Sequence, residues 1–233
     1  MPIAQYSQAE GSVAINRLSI ADQVFDRMRN DIFSGKFKPG ERLKELALAS
    51  EFGVSQSSVR AALQLLSQEG LVLRKPNCGT CITNFTPEEM VERVKVRIVL
   101  ESLAATEAKR RLDAGSLALL REMAADIDTA VKSTKMERAE LSRRDFEFHK
   151  ALWKISENET LEKILANLCA PLFVFVALKM LPYGERYVER INRHLTIVES
   201  LEHSSAEELK ETIRAHILSV GYPFLSDSID WGT

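Results

Sequence analysis

Apolar positions along this chain keep a helical period almost throughout, and one short stretch where the pattern turns β-like breaks it. Residues 18–34 (LSIADQVFDRMRNDIFS) place Val24, Met28 and Ile32 on one stripe, which predicts an amphipathic helix ended by Gly35 and Pro39-Gly40. Within 43–73, Leu46, Leu48, Ala49 and Phe52 carry the apolar spacing of one short helix. Val59, Ala62, Leu63 and Leu66 carry the i, i+3, i+4, i+7 spacing of a second. Gly53 supplies a tight turn between them, Ser55 an N-cap, and Glu69-Gly70 the end of the unit. Residues 71–74 and 80–83 then read as two β-stretches of a hairpin, joined through the Asn- and Gly-containing segment 75–79.

A new unit begins at Thr86-Pro87-Glu88-Glu89, where threonine caps a helix with proline in its first turn. Helical segments are expected at 87–111, 114–132, 136–157, 158–180, 184–203 and 205–219, with glycine scarce and β patterning absent. The fold expected is therefore mainly α. It has an N-terminal winged helix-turn-helix over 15–84 and an all-α antiparallel helical bundle over 85–220, with loose tails at 1–14 and 221–233.

Helix, tight turn, helix and hairpin in this order expose Gln56, Ser57, Ser58 and Arg60 at the start of the second helix. Short polar side chains and an arginine at that place meet phosphates and base edges in a major groove. Arg42, Ser55, Arg74, Lys75 and Gly79 complete the candidate DNA-facing set, so double-stranded DNA is the first partner expected. Charge agrees weakly: residues 15–84 carry 10 Lys+Arg against 7 Asp+Glu, whereas 85–233 carry 21 against 25. Three cysteines make no even disulfide framework and no apolar secretory segment opens the chain, which points to the cytoplasm. Cys78 and Cys81 are spaced C-x-x-C without two further ligands nearby, and read as wing residues. The most apolar run, 165–181, is broken by Asn167, Pro171 and Lys179. It is expected as a buried helix rather than a membrane span, its Phe173 and Phe175 lining either a ligand pocket or plain core.

Three of the four histidines fall on apolar faces of separate bundle segments. Asp145 and His149 are i, i+4 and project from one helix face, while His194 and His216 are each flanked by apolar residues at helical spacing. One carboxylate and three imidazoles make a ligand set for a divalent metal ion, zinc first, with nickel, manganese or iron also compatible. The same spacing also fits core histidines satisfied by ordinary hydrogen bonds. His203 lies in a polar turn and is left out. Arg97 reads either as a surface residue paired with Glu101, i, i+4, or as a guanidinium reaching a carboxylate.

The residues resemble a known family. Pro39-Gly40-Glu41-Arg42-Leu43, Leu48-Ala49, Phe52-Gly53-Val54-Ser55, Val59-Arg60, Ala62-Leu63, Leu66, Glu69-Gly70-Leu71-Val72 and Gly79 resemble the winged-helix domain of GntR-type bacterial regulators. Arg97, Glu101, Asp145, Phe148-His149, Asn158, His194 and His216 resemble the FCD ligand-sensing domain of the FadR-like branch. The resemblance implies a homodimeric transcription factor, usually a repressor, whose operator binding responds to a small organic acid. It also implies a divalent metal on Asp145, His149, His194 and His216, with Arg97 lining the effector pocket. Relatives usually carry arginine at the position of Gln56, often at that of Leu46, and commonly glutamate at that of Ala61, so the operator read here should differ. Two other readings use the same site: a metal-ion sensor, and a metalloenzyme whose metal activates water.

Overall fold

The computed structural model describes residues 18–75, 79–132, 138–180 and 193–219; the tails expected at 1–14 and 221–233, the connection expected at 76–78 and the helix expected from 184 to 192 lie outside them. Helix α1 (Ile20–Phe33) opens on a reciprocal capping box between Ser19 and Asp22 and buries Val24, Met28, Ile32 and Phe33. Helix α2 (Glu45–Phe52) ends on Gly53, whose φ of +65° is the left-handed conformation that turns the chain into α3 (Gln56–Gln68). Ser55 caps α3 by accepting from the Ser58 backbone N–H, and Val59, Ala62, Leu63 and Leu66 form its buried face against α1. Leu46 shares the apolar spacing of α2 but lies on its outer face. It is 71% exposed, so α2 is held by the buried Leu48 and Ala49 and the partly buried Phe52.

The hairpin forms from β2 (Val72–Lys75) and β3 (Gly79–Ile82), antiparallel with Lys75 opposite Gly79. A strand that sequence patterning missed, β1 (Arg42–Leu43), pairs with the far edge of β3 and makes the wing three-stranded, in the order β1-β3-β2. Two residues are too few to carry a readable alternation.

The bundle comprises α4 (Pro87–Arg111), α5 (Ala114–Lys132), α6 (Arg138–Ile155), α7 (Glu159–Met180), α8 (His194–His203) and α9 (Ala206–Ser219). Thr86 caps α4 as expected and forms a reciprocal capping box with Glu89, and α4 packs against α6, α7, α8 and α9. One hydrophobic cluster fills the bundle. A second runs across the boundary, joining Met28, Ile32, Phe33, Leu63 and Leu66 to Phe146, Trp153, Leu165 and Phe173. Head and bundle also meet at Gly70. Pro171 lies inside α7, so the carbonyl of Asn167 four residues back loses its helical N–H partner. The Gly70 backbone (φ +69°) packs there so closely that a Cβ would stand 2.8 Å from that oxygen. No described helix is long and apolar enough to cross a membrane.

Candidate metal centre and DNA-facing surface

Helix α6 sets Asp145 and His149 one turn apart; His194 opens α8 and His216 lies in the last turn of α9. All four are buried, and each offers one ligand atom such that the four atoms lie within 4.8 Å of one another. His194 Nε2 is 2.8 Å from Asp145 Oδ1, and His149 Nε2 is 3.5 Å from that oxygen and 3.1 Å from His216 Nε2. Imidazole and carboxylate donors converging in a dry core fit a borderline divalent cation. Burial, then the neighbouring His194 and His149 and the Arg97 guanidinium, push the His216 imidazole well below its usual pKa. It is therefore neutral, the form a metal ligand requires. The Nδ1 atoms of His194 and His216 are buried with no hydrogen-bond partner among the described residues.

Arg97 is not the surface residue that its i, i+4 pairing suggested. It is 3% exposed, its Nε donates to Glu101 Oε1 at 2.5 Å, and its guanidinium lies 4.5 Å over the Phe173 ring. Sequence reading paired Glu101 with Arg97 but missed its contact with the cluster: wholly buried, its Oε2 takes a 2.7 Å hydrogen bond from His149 Nδ1. Burial pushes its carboxyl up, but Arg97 and His149 outweigh that and hold it down to about 2. The Arg97–Glu101 pair was visible as an i, i+4 spacing; nothing local tied it to a histidine 48 positions on.

The site connects directly to the head. Phe173 contacts His149 (ring centroids 5.6 Å) and Phe146 (5.4 Å), and Phe146 contacts Phe33 of α1 (5.9 Å). The Arg29 guanidinium of α1 sits 5.8 Å over Phe146, donates to Glu147 at 3.0 Å, and approaches Glu69, the C-cap of α3, at 3.2 Å. Helix α6 thus shows the ligand cluster on one face and the head contacts on another.

At the start of α3, Ser55, Gln56, Ser57 and Arg60 are exposed, with Ser58 half-buried. Gln56 and Arg60, with Arg42, Arg74 and Gly79, line an open cleft of about 900 Å³ between α2, α3 and the wing; Ser55, Ser57 and Ser58 are not among its lining residues. Lys75 ends β2, and its side chain lies outside the described residues. A residue that sequence reading missed, Glu45, holds this face: its Oε2 accepts from Gln56 Nε2 at 3.0 Å and from Arg60 at 3.0 and 3.2 Å. The Arg60 hydrogen bond, partly opposed by burial, lowers the Glu45 carboxyl. Arg60 is exposed, so its pairing with Glu45 is worth less than about 1 kcal/mol.

Models of known families match both parts: "Bacterial regulatory proteins, gntR family" over residues 20–82 and "FCD domain" over 92–219. The chain belongs to the GntR family. The transcriptional regulator YdhC of Bacillus subtilis (strain 168) is 33% identical over 83% of this chain and 86% of its own length. The gluconate operon transcriptional repressor of the same organism is 28% identical, over 71% of this chain and 67% of its own. Among solved structures, Escherichia coli McbR/YncC shares the fold at a TM-score of 0.70 and 22% identity, covering 86% of this chain and 94% of that one. This GntR-family chain is thus a transcriptional regulator rather than an enzyme, with a DNA-binding head. Its FCD domain is of a class that binds small-molecule effectors and often metals.

Proposed function

We propose that this regulator is a homodimeric repressor whose operator affinity is set by a small organic acid bound beside a divalent metal ion in its helical domain. Residues 15–84 form the operator-binding unit and 85–220 the sensing and dimerisation unit. Arg42, Ser55, Gln56, Ser57, Ser58, Arg60, Arg74, Lys75 and Gly79 face DNA, α3 entering the major groove and the wing following the backbone. Glutamine in place of a family arginine at position 56 removes a charge from that face and lowers the salt dependence of binding accordingly.

Asp145, His149, His194 and His216 would hold the ion, zinc being the best fit to this donor set. Bound there, it would supply a Lewis-acid anchor for one carboxylate oxygen of the effector. Arg97 is the second anchor, and an incoming carboxylate competes with Glu101 for its guanidinium. The observation that carries the reading is the convergence of these four buried side chains on a helix, α6, that also grips the head through Phe146 and Glu147. An effector binding one α6 position better than another shifts α1 and, through it, α3. Dimerisation uses the apolar stripe of Val96, Val99 and Leu103 on α4, all exposed in the single chain and suited to a second copy.

The test is selection of genomic fragments by the full chain at physiological salt, followed by operator titrations with and without zinc and a panel of organic acids. An enriched inverted repeat that an acid releases only from zinc-loaded protein supports the reading. Release by zinc alone would convert it to a metal sensor, and no enrichment over Arg60→Ala would remove operator recognition altogether.

A further inference from the structure

Of the three buried imidazoles in the centre, His149 alone among the described residues has a carboxylate behind its ring. Glu101 spans two partners, one oxygen on Arg97 Nε and the other on His149 Nδ1. An ionised carboxylate can only accept, so the proton between it and the imidazole belongs to the ring nitrogen. That leaves Nε2 as a bare lone pair, and Nε2 is the atom that points at His216 and Asp145.

We propose that Glu101 is a positioning residue: it locks His149 in the Nδ1–H tautomer and presents its Nε2 to the divalent ion, and so sets the metal affinity of the centre. This rests on the metal-site reading above. A mere counterion for Arg97 would need no contact with the histidine, and Glu101 has no solvent that could replace either partner. A carboxylate hydrogen-bonded to a ligating histidine fixes ring orientation and raises its basicity, and losing one costs about 10–100-fold in metal affinity.

The experiment is a zinc competition titration against a chromophoric chelator, using metal-stripped full-length protein, for the unaltered chain, Glu101→Gln and Glu101→Leu. The expected result is a roughly 10- to 100-fold loss for Glu101→Gln and at least as much for Glu101→Leu, with the zinc stoichiometry unchanged. Affinities within about threefold of the unaltered chain in both variants would overturn the proposal. Where a variant loses the native circular dichroism spectrum, ¹⁵N spectra of histidine-labelled, metal-free unaltered protein decide instead, with His149→Gln assigning the resonance. A proton on Nδ1 of His149 supports the lock, and one on Nε2 refutes it. An unaltered chain that takes up no zinc sinks the metal-site reading itself, a different outcome from zinc binding that Glu101 does not influence.

Discussion

Arg29 of α1 bridges Glu69 at the end of α3 and Glu147 of α6, and replacing it by methionine measures that fastening. Methionine keeps an unbranched, polarisable stem against Phe33 and Phe146 but removes the guanidinium. The Arg29 side chain is 18% exposed, its partners Glu147 and Glu69 about a third. The hydrogen-bonded pair with Glu147 at 3.0 Å is then worth about 1 kcal/mol. The approach to Glu69 at 3.2 Å is misaligned for a hydrogen bond and adds about 0.5 kcal/mol of Coulomb attraction. Two cation–π contacts, at 5.5 and 5.8 Å, add about 0.5 kcal/mol each. Glu147 regains water when unpaired, and Glu69 keeps a partly exposed side chain although its Oε2 is buried, so at most one oxygen is stranded. Arg29→Met should therefore destabilise the protein by roughly 2.5 kcal/mol, read as a lower urea midpoint at unchanged m-value. A double-mutant cycle with Glu147→Gln should return a coupling of about 1 kcal/mol. Zinc affinity should stay within about twofold, because Arg29 touches no ligand. A loss below about 0.5 kcal/mol, or a coupling near zero, would mean that the head is held by apolar packing alone and that α6 does not steer it through this arginine.

Gly70→Ala should be costlier than its one added methyl implies: φ is +69° and the Cβ meets the Asn167 carbonyl at 2.8 Å. The expected loss is about 1–3 kcal/mol in urea or thermal unfolding, and a neutral result would refute the tight docking at that carbonyl. Zinc at about a thousand times its dissociation constant should stabilise the chain by about 4 kcal/mol, a shift that Asp145→Ala abolishes in a thermal melt. Arg74→Ala should flatten the dependence of log operator affinity on log salt by about 1. Arg60→Ala should instead relax base preference at one operator position by about 1–3 kcal/mol, and anisotropy titrations on operator variants separate the two.

Much of the architecture was legible because it is local. Ser55, Gly53, Thr86 and Pro87 mark helix ends through hydrogen bonds and dihedrals set within four residues, and the stripe of Val59, Ala62, Leu63 and Leu66 follows from helix geometry alone. The Asp145–His149 face was legible for the same reason. Strand β1 was not: its two residues pair with β3 some 40 positions away, and a strand that short has no pattern of its own. Leu46 shares the apolar spacing of α2, but periodicity records polarity and not which face finds a partner; at 71% exposure it stands on the outer face, where relatives often carry arginine.

Within the site, the chain alone determined the kinds of donor, one carboxylate and three imidazoles. Tertiary packing decided their distances, buried Arg97, and put Glu101 of α4 behind His149 of α6. The junction of Arg29, Phe146, Glu147 and Glu69 likewise joins residues up to 118 positions apart. The physical reason is one of range. Helix ends, turns and amphipathic faces are settled by short-range terms that each segment carries with it. Which faces meet depends on how the whole chain excludes water, and no single segment holds that information.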